Sequence, residues 1–498
     1  MQNLNESLQA KYPHLELAIL PLSQVNKDNE SKRIDSEYFK KEYLENEERL
    51  LNLGSIKLEN FILKMAGGAT PLGANYLDIG VPFLRVQNIM QNYFNLNDIV
   101  YISKADDEIL KRSRLNRGDM LLTITGAYGK AAVVEQDLEN ANINQHSVKI
   151  ETKDINPYFL ATFINSKYGQ LQCDKKITGV TRPALDYQAI RDFLIPQFSQ
   201  DFQLEIQKLV QDSHKALEDS KRLYKEAQEL LYKELELDFK NPLKSLLQSS
   251  LQAKKPSELA IINDISKKYP HLNISVRPLS KSLHKSGRLD SEYYQSKYDL
   301  METKIKSFSH KKLGELVSIQ KSIEPGSEAY QDEGIEFVRV ANLGKFGLSK
   351  SDIYLNEQDF SKELKKLAPK KETILLSKDG SIGISYCLEE DLECITSGAI
   401  LHLKVKDKRE ILPQVLSLIL NSIVAKLQAE RDAGGSIIAH WKISEIEKVL
   451  IPLFDFKLQE QIALKIQKSF TLRAKSKDLL EYAKVKVEQN IQTPANQA

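Results

Sequence analysis

From Gln203 to Leu237 the chain carries neither glycine nor proline, and apolar or small residues return at every seventh position. One seam reads Ile206, Ser213, Ser220, Ala227; the next reads Leu209, Ala216, Leu223, Leu230, Leu237; a flanking one reads Val210, Leu217, Tyr224, Leu231. A heptad stripe of this length predicts one long helix. Before it the pattern is different. Short alternating or apolar runs at Val81 to Val86, Asp98 to Ile102, Met120 to Ile124 and Ala131 to Val134 predict strands, and glycine-bearing loops such as Gly67-Gly68, Gly118 and Gly126 to Gly129 separate them. Helical patterns follow at 157–171 and 413–427. Asn156 is expected to cap the first of these, with Pro157 in its first turn. The predicted class is α+β.

The pattern occurs twice. Arg33-Ile34-Asp35-Ser36-Glu37-Tyr38-Phe39 returns as Arg288-Leu289-Asp290-Ser291-Glu292-Tyr293-Tyr294, an offset of 255. KYPHL at 11–15 returns at 268–272, VPFLRVQNI from Val81 returns as IEFVRVANL from Ile335, and Ile195-Pro196 returns as Ile451-Pro452. A period this long fits duplication of a whole domain with its connector. The first helical seam returns as Ile462, Ser469, Ser476, Ala483, at an offset of 256. Small residues at heptad spacing let backbones approach closely, so the two helices are expected to pack on each other; the plainer alternative is two separate amphipathic helices, each facing its own domain. Lys465 and Arg473 interrupt the other seams of the second helix, which argues against a uniform leucine zipper. The expected divisions are a first domain with its lead-in at 1–198, a long helix in 199–240, a linker and repeated lead-in at 241–284, a second domain at 285–454, a second long helix in 455–490 and a tail at 491–498.

Composition narrows the class without naming a function. Hydrophobic residues make up 41% and charged residues 28% of 498, ordinary values for a globular chain. The start has no basic-then-apolar leader, and the most apolar later stretch, Ile411 to Leu427, is broken by Pro413, Gln414, Ser417 and Asn421, so a cytoplasmic protein without a membrane span is expected. Cys173, Cys387 and Cys394 form no CxxC pair; Cys387, Cys394 and His402 could converge on a metal, but packing is the favoured reading and no metal is expected. A net charge of +2 means that any nucleic-acid face must concentrate its Lys and Arg.

Three short motifs hint at catalysis and fail on spelling. Gly126-Ala127-Tyr128-Gly129-Lys130 has its first glycine too close to the Gly-Lys pair for a phosphate loop, and Ala131 stands where a hydroxyl would hold magnesium; a strand-to-strand turn is expected instead. Asn156-Pro157-Tyr158-Phe159 lacks the second proline of the amino-methyltransferase motif and no dinucleotide-type loop precedes it. Asp379-Gly380-Ser381-Ile382-Gly383 has Asp379 where a hydrolase elbow needs glycine. No catalytic residue and no cofactor is expected.

Other local signatures are Gly67-Gly68-Ala69-Thr70-Pro71, Glu324-Pro325-Gly326-Ser327 with Tyr330, ILLSKDGSIG at 374–383, NSKYGQ at 165–170, and the Gln- and Glu-rich helix segments QLEIQKLV and LQEQIALKI. In this order, twice, they resemble the specificity subunits of type I restriction-modification enzymes over nearly the whole chain. The resemblance implies two target-recognition domains, each reading half of a bipartite duplex DNA site. It also implies a pseudo-twofold arrangement on two antiparallel helices, which dock methyltransferase subunits, expected as two, and through them the restriction subunits. The 32-residue lead-in and its copy near 256–287 exceed the simplest layout of that family and leave a related type II two-domain subunit open. A pseudo-symmetric protein-binding scaffold without DNA binding is the alternative from another class.

If the chain reads DNA, both copies must hold a backbone while reading different bases, so shared polar positions are candidates for fold or phosphate and divergent ones for sequence. Arg85 and Arg339 are shared, as are Asn88 and Asn342. Gln87 faces Ala341, Tyr128 faces Ile382, Lys130 faces Ile384, and Arg182-Pro183 faces Ile438-Ala439. Gln pairs with adenine and Arg or Lys with guanine, which makes Gln87, Lys130 and Arg182 able to read bases. Thr125 joins this set in the first domain, and Ser377, Lys378 and His440 in the second. Solvated surface is the competing reading for each, Arg85 is equally suited to a structural ion pair, and Trp441 to core packing. The long helices are expected to leave apolar seams open for the methyltransferase subunits.

Overall fold

The computed structural model describes residues 2–251 apart from 27, 28, 30, 31, 72, 74, 75 and 180, together with 288, 290–434 and 439–493. The second KYPHL, the lead-in copy at 256–287, Leu289 and Ile438 lie outside the described residues, as do most of the expected linker and of the tail. The chain divides into two compact units, Met1–Glu218 with Arg473–Ala498, and Asp219–Leu472. The first long helix, Gln200–Glu234, and the second, Phe456–Gln492, each give residues to both.

The first unit holds β1 (Ile56–Lys57), β2 (Ile62–Gly67), β3 (Val81–Leu84), β4 (Val100–Ile102), β5 (Met120–Thr123), β6 (Ala131–Val133), β7 (Asn142–Ile143), β8 (Ser147–Thr152) and β9 (Leu194–Ile195). They pair as a four-stranded antiparallel sheet in the order β2-β8-β5-β6, a three-stranded sheet β4-β3-β7, and the short pair β1-β9. Side-chain alternation on β5 explains how one strand serves two cores. Met120 and Leu122 face the cluster built with the helices around 157–176, while Leu121 faces a second cluster with Ala132 and Ile143. The β5–β6 connection is the strand-to-strand turn expected at 126–129.

The second unit repeats this order. It holds β10 (His310–Lys312), β11 (Val317–Lys321), β12 (Ile335–Val338), β13 (Leu343–Gly344), β14 (Gly347–Leu348), β15 (Tyr354–Leu355), β16 (Ile374–Ser377), β17 (Ser385–Cys387), β18 (Cys394–Thr396), β19 (Ile400–Val405) and β20 (Leu450–Pro452). The sheets run β11-β19-β16-β17, β15-β12-β18 and β10-β20, with β13-β14 as an added pair. Ile374 and Leu376 enter the larger core and Leu375 the smaller one, as on β5. Trp441 is buried in the larger core; Cys387 packs there too, Cys394 in the smaller cluster and Cys173 in the first unit.

Three expectations are corrected. The strand expected over 81–86 ends at Leu84, because Arg85 leads into a 3₁₀ turn at Val86–Asn88. The helices expected over 157–171 and 413–427 are each two. Asn156 and Pro157 start the first as expected, but Pro157–Asn165 gives way to Lys167–Lys176, and Pro413–Leu420 to Ile423–Asp432. Ser166 and Ser422 are extended at these breaks, and each hydroxyl bonds back to a carbonyl of the preceding helix, Phe163 or Ile419, at 2.6 Å. The residue before each serine explains the break. Asn165 bonds both backbone groups of Ala131, and Asn421 both backbone groups of Ser385, so the outer edge of β6 or β17 is held by a side-chain amide instead of another strand. Finally, the flanking seam of the first long helix is largely closed, together with the small-residue seam that packs between the helices. In the first unit Ile206, Val210 and Ser213 are buried with Ala483 and Val487, and in the second Ser220, Tyr224, Ala227 and Leu231 are buried with Ile462 and Ser469; Leu204, Leu464 and Tyr482 remain exposed.

Polar seam residues are satisfied where they are buried. The Ser213 and Ser476 hydroxyls lie 2.9 Å apart in the first unit, and those of Ser220 and Ser469 3.0 Å apart in the second. Lys486 pairs with Glu205 in the first unit and Lys465 with Glu226 in the second. The units differ at one buried position on their central sheets. Lys149, opposite Leu121, is 2% exposed and pairs at 2.8 Å with Asp119. His402, opposite Leu375, instead meets Thr396 Oγ1 at 2.9 Å, and burial lowers its pKa to about 4, so it is neutral.

Candidate nucleic-acid interface

The turn after β3 is built by an acceptor that the sequence reading did not single out. Asp98 receives hydrogen bonds from Gln87 Nε2 at 3.1 Å, Asn88 Nδ2 at 2.9 Å and Arg85 Nη2 at 3.1 Å. These bonds, Gln87's foremost, outweigh desolvation and hold the Asp98 carboxyl below its ordinary range. Asn88 is fully buried and its Oδ1 accepts the Arg85 backbone N–H at 2.9 Å, which closes the 3₁₀ turn. Gln87 is exposed at the tip. In the second unit Arg339 Nη2 reaches Asp352 at 2.9 Å, and buried Asn342 accepts the Arg339 N–H at 3.0 Å. Ala341 is exposed at the corresponding tip. An Arg–Asp pair and an Asn that closes the turn on the Arg N–H thus recur in both units; the tip side chain differs, and so does the Asn amide, which reaches Asp98 in the first unit but Ser349 and Lys350 in the second. Asp98 and Asp352 stand at the repeat offset of 254, which is the signal that would have found them.

A second group forms around the β5–β6 turn. Gly126 and Gly129 take positive φ of 74° and 78°, which permits the tight reversal. Gln170 Nε2 donates to the Gly129 carbonyl at 2.7 Å, and Tyr128 donates its phenol to Asp174 at 2.9 Å. Burial and that carboxylate push the Tyr128 pKa up to about 12. The segment carrying Arg182 crosses beside this turn: Thr125 bridges Ala184, and Gly126 N–H donates to the Pro183 carbonyl at 3.2 Å. Thr125 and Arg182 are therefore brought to one place. Arg182 is exposed, Lys130 is half-buried, and neither cation forms an ion pair among the described residues.

The second unit builds the same crossing with different chemistry. Asp379 bridges His440, Gly380 N–H donates to Ala439 O at 2.9 Å, and Trp441 N–H donates to Lys378 O at 2.8 Å. Lys378 and His440 both bond the Asp379 carboxylate, His440 Nδ1 at 2.9 Å. Burial raises that carboxyl, but the two cation-capable partners win and hold it below its ordinary value. Ser377 is buried, and its hydroxyl accepts the Ile384 N–H at 2.8 Å, a turn-closing role that Thr123 fills in the first unit by accepting the Lys130 N–H at 2.9 Å.

The sequence-predicted residues therefore fall into two geometric kinds. Asn88, Asn342 and Ser377 are buried and complete the frame. Gln87, Arg182 and His440 are exposed on turns that the frame fixes, with Thr125, Tyr128, Lys130 and Lys378 half-buried beside the crossings and Arg85 and Arg339 half-buried at the first turn. Glycine packing adds one more exposed group: a Cβ on Gly67 would collide with the hydroxyl of Tyr187, which is 41% exposed. Such rigid turns carrying amide, guanidinium and imidazole groups are suited to reading base edges and phosphates.

Part of the chain is similar to known proteins. A model of the type I restriction modification DNA specificity domain matches residues 305–482. The type I restriction enzyme EcoBI specificity subunit of Escherichia coli is 32% identical over 134 residues, 26% of this chain and 28% of that protein, so the matched stretch is under a third of that relative's length. Among solved structures, the type I restriction-modification S subunit from M. genitalium aligns over 88% of this chain and 94% of its own, at 12% identity and a TM-score of 0.40. The HsdS subunit from Thermoanaerobacter tengcongensis aligns over 88% and 96%, at 15% identity and a TM-score of 0.28. Residues 305–482 are thus similar to the type I restriction modification DNA specificity domain.

Proposed function

We propose that this chain is the non-catalytic, DNA-reading specificity subunit of a type I restriction-modification complex in the cytoplasm. The observation that carries the reading is the recurrence of one frame, Arg-Asn-Asp at the first turn and a glycine-bearing turn crossed by a second segment, with different side chains displayed on it in the two units. A shared frame with divergent tips is what reading two different half-sites requires. On this reading 1–198 and 285–454 are the two target-recognition domains, and the helices within 199–240 and 455–490 are antiparallel spacers. Gln87, Lys130 and Arg182 read bases in the first half-site and His440 and Lys378 in the second, while Arg85 and Arg339 approach phosphates when not held by their aspartates. Two methyltransferase subunits, and through them restriction subunits, are the partners.

Duplex DNA mixed with the chain and its methyltransferase should shift in a gel with a steep salt dependence, since phosphate contacts release counterions. Methylome sequencing of a host with and without the gene should then reveal one bipartite motif that disappears with it. A chain that shifts no duplex at any salt concentration, and whose deletion changes no methylated motif, would leave the scaffold alternative standing.

A further inference from the structure

A place that the second unit fills with aromatic rings is left hollow in the first. In the second unit Tyr224 meets Phe346 edge-on at 4.8 Å and stacks on Phe470 at 6.3 Å between ring centroids, and Tyr386 adds a fourth ring 5.5 Å from Phe470. At the repeat offsets of 254 and 256 the first unit has Leu480, Asn92, His214 and Ala132 in their places. None of these supplies a ring of phenyl size, and a cavity of about 390 Å³ results, bordered by Leu217, Leu480 and Tyr93 on its apolar side. That volume lies within the range of small-molecule sites, about 300 to 1,000 Å³.

The walls of the cavity are rigid and its charge is one-sided. Asn92 takes a positive φ of 63°; its carbonyl meets His214 Nε2 at 2.6 Å, and its side chain accepts from Asn165 at 3.1 Å. His214 Nδ1 faces Glu135 at 3.3 Å, and Glu135 also accepts from the Tyr158 hydroxyl at 2.7 Å. Arg473, Lys477 and Lys484 line the opening against a single carboxylate, Glu481, which already pairs with Lys484 at 2.7 Å. The Lys477 ammonium forms no ion pair among the described residues, and the Tyr93 hydroxyl lies within the field of Arg473. In the second unit the rings occupy this place, and an opening of about 510 Å³ lined by Lys345 and Asn421, the counterparts of Gln91 and Asn165, lies next to Phe346.

We propose that this cavity binds a small aromatic anion of mononucleotide size, its ring seated where the second unit places its own rings and its anionic group held by Lys477 and Arg473. The inference does not rest on the DNA-reading function, and it concerns a part of the unit away from the β3 and β5–β6 turns. Calorimetric titration of the full chain with AMP, adenosine and inorganic phosphate tests it. AMP is expected to bind saturably at one site, at least tenfold more tightly than either adenosine or phosphate. Lys477→Glu, an exposed position, should weaken AMP at least tenfold with no change in melting temperature. Leu480→Tyr, which installs the ring that the second unit carries as Tyr224, should abolish binding. No AMP binding at millimolar concentration, or binding that survives both substitutions unchanged, overturns the proposal; if Leu480→Tyr misfolds, the Lys477→Glu result decides alone.

Discussion

Asp98 accepts from three side chains at once, and those three bonds separate what Gln87 does from what Arg85 and Asn88 do. Gln87→Ala removes one exposed amide from a turn that Arg85 and Asn88 still close. Preference at one base position should relax by ~1 to 3 kcal/mol if the amide pairs with a base, with unfolding unaffected beyond about 0.5 kcal/mol. Methylation of a library of single-base site variants reads the first quantity and urea unfolding the second; unchanged preference everywhere removes Gln87 from the reading set. Acid should act through His402. Its folded pKa of about 4 lies below the ordinary 6.5, so its stabilising contribution is complete above pH 6.5 and is lost as pH falls from there towards 4, by up to about 3 kcal/mol. His402→Gln, neutral throughout and still able to bond Thr396, should flatten that part of the urea-midpoint profile. A profile equally steep with glutamine would move the acid response elsewhere. At this scale the sequence was only partly legible. Comparing the copies picked out Arg85, Asn88, Arg339 and Asn342 as shared, but not that the two asparagines are buried turn closers, because identity at a repeat offset is blind to burial.

Breaks in the short helices come from single side chains. Asn165 and Asn421 each hold two backbone groups of an edge strand, and a serine after each restarts the chain in a new helix. Asn165→Ala should strand the Ala131 N–H, while the Ala131 C=O keeps the Asn92 N–H, and cost about 1 to 3 kcal/mol, measurable as a lower urea midpoint; an unchanged midpoint would mean that water replaces the amide without loss. Hydrophobic periodicity ran straight through these breaks because the apolar face continues across them, whereas the cap geometry depends on tertiary contacts. The long helices were legible to within about a turn, since their period is sustained for five turns or more; the first stops at Glu234, short of Leu237, where Glu236 takes a positive φ of 52°. Their openness was not. Val210, Tyr224 and Leu231 of the flanking seam are buried within their own units, beyond the small seam expected to pack between helices. Ser220→Leu should be harmful, costing ~1 to 3 kcal/mol by forcing a branched side chain between closely packed backbones, while Ser220→Ala should cost about 1 kcal/mol or less. Thermal unfolding of the pair distinguishes packing from hydrogen bonding, and equal losses would argue that the hydroxyl bond matters more than the space.

For the whole molecule, the repeat offset was the most informative reading, because two units with the same strand order need no knowledge of contacts to be recognised as copies. On the proposed function, replacing residues 33–198 with the module of another specificity subunit should change one half of the methylated motif and leave the other intact. One heptad added to each long helix between its two seam serines keeps every seam in phase and lengthens each helix by about 10 Å, roughly three base pairs at ~3.4 Å per step. The motif should keep both halves and widen its gap; an assembled, active variant with an unchanged gap would mean that the helices do not set the distance. The Arg-Asn-Asp frame carries a further implication for how such a protein changes over generations. Because Ala341 and Gln87 occupy the same exposed tip on the same closed turn, that codon can drift among side chains without first acquiring a compensating substitution. On the proposed function, a lineage can thus try new recognition sequences one mutation at a time on a turn that stays closed, and selection acts on what is recognised and not on whether the chain survives.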